Sequence, residues 1–306
     1  MINNNILVSV IIISYNSADT ILDTLESIKV QSYTNIELII SDDGSKDKTI
    51  EISENWLKLN SHCFSFSKLL TVESNTGISA NCKKCVEIAS GIWIKLLAAD
   101  DMLYHDSINE YVSFAINNNY ECIVSNLDML KGNLLSNFKN KKLETFCKLD
   151  VNQKLKYYIN DPFFLNTPSI FFKRELVLKI DPFEVKYKLV EDQPLFFNLL
   201  QNNVDFGYIN KRLVIYRIHN NSISGSINKE FYRTLFLSYH QFRKPYINNG
   251  IIGNLLKYFI ETNYEWLINK YQGNSIIHKL KFMLFQKAIK LLTILSLYFI
   301  VAKGFK

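Results

Sequence analysis

The sequence offers little for a disulfide framework, a secretory signal, a glycine-rich phosphate loop or a membrane-length apolar run, and each shortage narrows the reading. Five cysteines, at 63, 82, 85, 122 and 147, are odd in number and irregular in spacing, which fits a reducing compartment. Cys82 and Cys85 form a C-x-x-C, but no second pair completes a zinc site. On the helix predicted over 79–89, Cys82, Cys85, Val86 and Ala89 share one face, so both thiols read as small core residues. Met-Ile-Asn-Asn-Asn has no basic region and runs straight into a strand, so no signal peptide is expected. The apolar stretch 288–302 is interrupted by Lys290, too short and too charged for a membrane span. No acidic residue follows Glu265, whereas six lysines stand from Lys279 onward; everything before Lys279 is neutral, and the net charge of +6 is a tail. That excludes a basic nucleic-acid stripe across the fold.

What is present is a globular composition, 48% hydrophobic over 306 residues, enough for one large core or two smaller units. Ile6–Ile13 is a mostly β-branched apolar run, the pattern of a strand covered on both faces. It ends on Ser14-Tyr15-Asn16-Ser17, after which Ile21, Leu25 and Ile28 recur at helical spacing. A second strand, 36–41, ends on Asp42-Asp43-Gly44-Ser45, with Ser45 placed to cap a helix whose buried face is Ile52, Trp56 and Leu59. A short strand over 69–72 leads through Asn75-Thr76-Gly77 into the cysteine-bearing helix. The next apolar run, Trp93 to Ala99, stops on Asp100-Asp101. This alternation predicts a doubly wound α/β fold with a parallel sheet. In such sheets ligands gather beyond the carboxyl ends of the strands, where Tyr15, Asp42, Asp43, Asp100 and Asp101 would converge. Adjacent carboxylates call for a cation or a donor between them, although a strand-end Asp also caps helices well.

Further on, a helix is expected over 108–116, a strand over 121–125, a strand entered through Pro168 over 167–174, and another over 213–217. Residues 126–166 have no clean period. Glu191-Asp192 opens a helix with Leu195, Phe196, Leu199 and Leu200 facing inward; acids there suit the helix dipole as well as any chemistry. His219 follows the last strand, where a lone histidine is more often structural. From about Lys229 the chain is helical, over 231–242, 251–271 and 275–302. The last stretch combines lysines with Phe282, Phe285, Leu291, Leu292, Leu295, Tyr298 and Phe299, the make-up of a helix lying on an anionic membrane. Packing on its own domain or on a second subunit is the rival.

The run Val10-Ile11-Ile12-Ile13-Ser14-Tyr15-Asn16, then Ser41-Asp42-Asp43-Gly44-Ser45, Asn75-Thr76-Gly77 and Leu97-Ala98-Ala99-Asp100-Asp101, resembles the nucleotide-binding half of a family 2 glycosyltransferase with the GT-A fold. The resemblance spans roughly residues 6–220 in the family's order. It implies a GT-A domain over 1–225, with a nucleotide-binding half to 103 and an acceptor half from 104, followed by a helical extension over 226–306. By the same resemblance Tyr15, Asp42 and Asp43 would contact the base of a nucleotide-sugar, most often uracil, with Asn75 beside them. Asp100 would hold a divalent metal, Mn2+ or Mg2+, and Asp192 would be the catalytic base. Arg217 and His219, in Tyr-Arg-x-His-x-x-Ser, would belong to the loop that closes over the diphosphate, with His219 a second metal ligand. Ala98 replaces the first acid of the family's D-x-D element. The activity implied is inverting transfer of a hexose or N-acetylhexosamine from a UDP-sugar to a lipid-linked saccharide in bacterial O-antigen, capsule or lipooligosaccharide assembly, in the cytoplasm at the inner face of the membrane. A non-catalytic nucleotide-sugar-binding relative is the alternative that Ala98 favours. A nucleotidyltransferase would need a glycine-rich basic loop where Ser14–Ser17 stands.

Overall fold

The computed structural model describes residues 6–137, 140–219, 229–247 and 250–269, together with 283–284, 287–288 and 291. The first half runs β1 (Val8–Ser14), α1 (Ile21–Lys29), β2 (Ile36–Asp42), α2 (Thr49–Asn60), β3 (Phe66–Thr71), α3 (Ile78–Ile88) and β4 (Trp93–Ala98). These strands pair in parallel in the order β3-β2-β1-β4. Successive strand residues point to opposite faces, so the continuous apolar runs fill two layers at once. Ile11, Ile39 and Leu96 face one core with the cysteine side of α3. Val10, Ile12, Leu38, Ile40 and Leu97 face the other, with Ile21, Leu25 and Ile28 of α1. Cys82, Cys85, Val86 and Ala89 are all buried, as the spacing predicts.

The second half continues with β5 (Met102–Leu103), α4 (Ser107–Asn117), β6 (Cys122–Lys131), β7 (Leu134–Asn137), α5 (Lys141–Cys147), α6 (Val151–Asn160), β8 (Ile170–Lys173), α7 (Arg174–Ile180), α8 (Asp192–Gln201), β9 (Phe206–Ile218), α9 (Lys229–Ser238) and α10 (Ile251–Asn269). The sheet extends as β4-β8-β6-β9-β5, with β7 paired only to β6. Short antiparallel ladders join β8 to β4 and β6, whereas the long β6–β9 ladder is parallel and carries an irregularity around Asn126. The result is a mixed, mostly parallel sheet between helices. Leu235, Tyr239 and Phe242, following from α9, join Leu256, Ile260 and Tyr264 of α10 in the core that α8 also fills. No helix among the described residues is long and apolar enough to cross a membrane. Most of the stretch 275–302 lies outside the described residues.

Several expectations are corrected. Ser45 does not cap α2: its hydroxyl bonds Asp42, and Asp47 accepts from the Thr49 amide instead. Leu59 is 74% exposed, because Thr49, Ser53 and Trp56 form the buried face of α2. The strand from Thr167 is only Ile170–Lys173, entered through a 3-10 turn at Thr167–Ser169 and passing directly into α7. β6 and β9 run well beyond the spans the apolar residues suggest.

Gly91 marks how tightly the base of the sheet is closed. Its amide donates to Ser9 Oγ, which in turn donates to the buried Glu37 carboxylate; Ser90 N–H binds the same carboxylate, with Lys68 at 3.6 Å. A β-carbon on residue 91 would stand 2.5 Å from both Ser9 N and Ser9 Oγ. Gly91→Ala is expected to cost about 2 kcal/mol through overpacking, measured by urea unfolding.

Candidate active site

Parallel register brings the carboxyl ends of β1, β2 and β4 together: Ser14 lies beside Asp42, and Ile13 beside Ala98. Two aspartates knit the loops that follow. Asp42 is fully buried; Oδ1 accepts from the Gly44 and Ser45 amides, and Oδ2 from the Ser14 and Ser45 hydroxyls. Asp43 reaches across to the third loop, accepting from the Thr76 amide and hydroxyl and from the Gly77 amide at 2.7–2.9 Å. Asn16, at φ 50°, donates its amide to Ser45 Oγ and accepts from Lys46 N–H, which fastens the turn carrying Tyr15. Gly77 has φ +96°, and a β-carbon there would meet Lys188 at 2.8 Å, so the turn admits only glycine. Above this scaffold stand the Tyr15 ring, 48% exposed, and Asn75, also exposed. Tyr15 and Asn75 are therefore open to solvent at the strand-end rim. Both oxygens of Asp42 are occupied within the loop, so it shapes the site from beneath in place of the expected direct contact with a base.

The end of β4 meets the end of β9. Arg217 donates its amide to Asp101 Oδ1 at 3.0 Å, its Nε to the Asp100 carbonyl at 2.9 Å, and an Nη to Asp23 at 2.7 Å. His219 Nε2 lies 2.9 Å from Asp100 Oδ2, with both side chains partly exposed. Asp101 is fully buried and its Oδ2 has no hydrogen-bond partner; burial first, then the neighbouring Asp100, pushes its carboxyl well above the usual range. Beneath it, Lys95 is also fully buried, donating to the carbonyls of Pro168 and Ile170. Burial lowers the Lys95 ammonium to about 7, partly offset by Asp101. Among the described residues no three His, Cys, Asp or Glu side chains cluster as a complete metal cage. Asp100 and His219 nevertheless form an oxygen–nitrogen pair at the rim. A hard divalent ion bound in part by substrate phosphates and water needs no more protein donors than that.

Glu191 and Asp192 sit at the start of α8, both partly buried, with Asp192 Oδ1 accepting from the Gln193 amide. Burial is the main cause that raises Glu191 to about 7, with the Asp192 charge second, and burial raises Asp192 to about 6. The C-terminal helices buttress this turn. Ser238 donates to Gln193 Oε1, and the buried Arg243 donates to the carbonyls of Ile159 and Asn160 at the end of α6. Carboxyls raised to the middle of the pH scale, in a partly buried turn, suit proton transfer.

Residues 9–177, more than half of the chain, match the family described as Glycosyl transferase family 2. The chain belongs to that family. It is 27% identical over 236 residues to an Escherichia coli UDP-Glc:alpha-D-GlcNAc-diphosphoundecaprenol beta-1,3-glucosyltransferase, WfgD, covering 74% of this chain and 83% of that one. It is 28% identical over 241 residues to Bacillus subtilis TuaG, described as a putative teichuronic acid biosynthesis glycosyltransferase, covering 78% and 89%. In fold it is similar to S. aureus TarS in complex with UDP-GlcNAc, with TM-score 0.61 and 17% identity over 92% of this chain and 81% of that one. A mannosyltransferase from Pyrobaculum calidifontis in complex with GDP-Man and Mn2+ superposes with TM-score 0.57 and 13% identity, covering 96% and 73%. The protein is thus a glycosyltransferase enzyme of the GT-A fold.

In this family 2 enzyme the structure brings Tyr15, Asp43, Asn75, Asp100, Arg217 and His219 to one edge. Asp192 opens α8, just after a segment that docks on the third loop: Lys188 O accepts from the Ile78 amide, and Tyr187 O and Val190 O from the Ser79 hydroxyl. Residues 220–228, the rest of the His219 loop, lie outside the described residues. Lys95, Asp23 and Ser14 were not anticipated as parts of the site. Only Lys95 carried a signal in the sequence, a charge inside an apolar strand. Asp42→Ala leaves four donors of a buried loop without their acceptor and is expected to cost about 3 kcal/mol, read by chemical denaturation, with UDP affinity falling as well.

Proposed function

We propose that this glycosyltransferase is an inverting enzyme that moves a hexose or N-acetylhexosamine from a UDP-sugar to a lipid-linked saccharide in bacterial surface-polysaccharide assembly. The observation that carries the reading is the rim itself. Three strand-end loops, interlocked through Asp43, expose Tyr15 and Asn75, and beside them the β4–β9 junction presents Asp100 and His219. The WfgD and TuaG likenesses support a lipid-linked acceptor and envelope polysaccharide, and TarS in complex with UDP-GlcNAc supports the uridine donor. On this reading the work is done in the cytoplasm at the inner membrane face, with the basic helical extension on the lipid surface.

The nucleotide lies across the knitted loops with its base on the Tyr15 side. A divalent cation, Mn2+ or Mg2+, bound by Asp100 and His219, supplies charge neutralisation of the diphosphate. Arg217 fixes the Asp100 carbonyl and the Asp101 carboxylate, and so the turn from which the Asp100 carboxylate projects. The acceptor hydroxyl gives its proton to Asp192 as its oxygen attacks the anomeric carbon, and the C–O bond to the diphosphate breaks on the opposite face. Configuration inverts, and the nucleoside diphosphate departs with the bonding pair. Burial raises both carboxyls, and the Asp192 charge raises Glu191 further, so the two negative charges are not forced together.

Titration calorimetry of UDP, with and without Mn2+, on wild type and Asp100→Ala tests the donor site. Tight binding that needs both the metal and Asp100 is expected. No binding of UDP, GDP or dTDP in either condition would overturn the reading in favour of a non-catalytic relative, the alternative that Ala98 favours.

Asp192→Asn is expected to lower kcat about 10³-fold while leaving UDP affinity unchanged. A carboxyl raised by burial is a working base only above its own pKa. The wild-type kcat/KM should therefore rise through the interval from about 6 to about 7 and level off above it. A flat profile across that interval would remove the pair from the proton transfer.

A further inference from the structure

The β6–β7 hairpin has no part in the chemistry above, yet it stands at the same edge of the sheet. Leu130 of β6 pairs with Arg217 of β9, and Lys131 with Ile218, so the hairpin leaves the sheet one residue before His219. Its loop is the two residues Gly132-Asn133, since Lys131 pairs directly with Leu134. Gly132 has φ +57°, and a β-carbon built on it meets nothing within 4 Å: the tip projects clear of the protein.

The residues carried out there are apolar and basic. Leu134 is 78% exposed and Leu135 50% exposed. Neighbours in a strand point to opposite faces, so both faces of the tip are greasy. A flat protein partner would cover one face; an apolar medium that surrounds the tip covers both. Between Asp128 and Glu144 the sequence holds Lys131, Lys139, Lys141 and Lys142 and no acid. Among the described residues Lys142 pairs with Asp161, whereas Lys131, at the foot of the tip beside Leu134, is exposed and in no ion pair. Exposed leucines at a tip within a lysine-rich, acid-free stretch match the interface of an anionic bilayer, where the apolar side chains enter the acyl boundary and the amines meet the headgroups.

We propose that the β6–β7 hairpin is a membrane-insertion tip that seats the active-site rim on an anionic lipid surface. The inference rests on the lipid-linked acceptor proposed above and adds the second point of contact that would fix orientation. A basic tail alone tethers the enzyme, whereas a tip beside His219 turns the cleft toward the lipid.

The test is flotation of the full chain with vesicles of mixed phosphatidylcholine and phosphatidylglycerol, against phosphatidylcholine alone. Leu134→Ser/Leu135→Ser is expected to lower partitioning onto the anionic vesicles about tenfold. Leu134→Trp/Leu135→Trp should retain it, and Lys131→Glu should weaken it only where phosphatidylglycerol is present. Calorimetric UDP binding should be unchanged in all three variants, which keeps misfolding apart from lost docking. Undiminished flotation of the serine variant would overturn the proposal and leave the contact to the C-terminal stretch. So would a change in sedimentation from dimer to monomer with flotation intact, since the tip would then bind a second copy. Transfer by the wild type to a detergent-solubilised lipid-linked acceptor separates the two readings: a wild type that transfers but does not float sinks the hairpin alone, and one that does not transfer sinks the acceptor assignment.

Discussion

Arg217 holds the two halves of the site together. One residue binds the side chain of Asp101 through its amide, the carbonyl of Asp100 through Nε and the carboxylate of Asp23 through its guanidinium. These contacts fasten the end of β9 to the end of β4 and to α1. They act together with the short β5–β9 ladder, Met102 beside Ile215 and Leu103 beside Val214, since β9 and β4 themselves are separated in the sheet by β8 and β6. The position of His219 against Asp100 follows from the fastening, since the histidine lies two residues further along the same chain. A lysine at 217 would keep the charge but not the forked, planar set of donors that meets a carbonyl and a carboxylate at once.

Charge beneath the rim is arranged to the same end. Lys95 sits wholly inside the protein, and its two carbonyl partners belong to the turn and first residue of β8. Those contacts place the β8 approach, including Thr167, against the end of the donor half. Tyr111, whose ring lies 5.2 Å from the ammonium, bonds the Ser169 carbonyl from the other side. An isolated charge so deep would be costly; here the Lys95 ammonium and the Asp101 carboxyl, each shifted toward its neutral form by burial, compensate one another. Buried polar groups thereby lie beneath the rim, tied to the β8 approach through Lys95 and Tyr111.

The first hundred residues were legible because their information is local. Unbroken β-branched runs, helices of clear period and acids at strand ends recur within thirty residues of each other, and parallel pairing follows from that order. The division of labour among the aspartates was not legible. Asp42 and Asp43 are neighbours of one type, but one turns inward to its own loop and the other spans to Thr76 and Gly77. The stretch from 126 to 166 resisted because its polar residues are satisfied from afar. Asn126 is bonded by Tyr208 and Asn210, Asp128 by Tyr104 and Arg212, and the buried Lys154 by Asp205. Each polar group inside a strand or buried helix face breaks the apolar period, and its partner lies tens of residues away.

Ala98 is better understood as part of this electrostatic balance than as a missing ligand. Asp100 and Asp101 already press on one another, and the buried Asp101 is the one that yields. A third carboxylate at the end of β4 would add to that repulsion in a turn where the Asp101 amide bonds back to the Ala98 carbonyl. A resident cation would then be needed to hold the turn together before any substrate arrived. With alanine there, the His219 contact and the Arg217 donors suffice to set the rim. On the proposed mechanism Asp100 and His219 would hold a divalent cation, and its chemistry there would be neutralisation of the diphosphate.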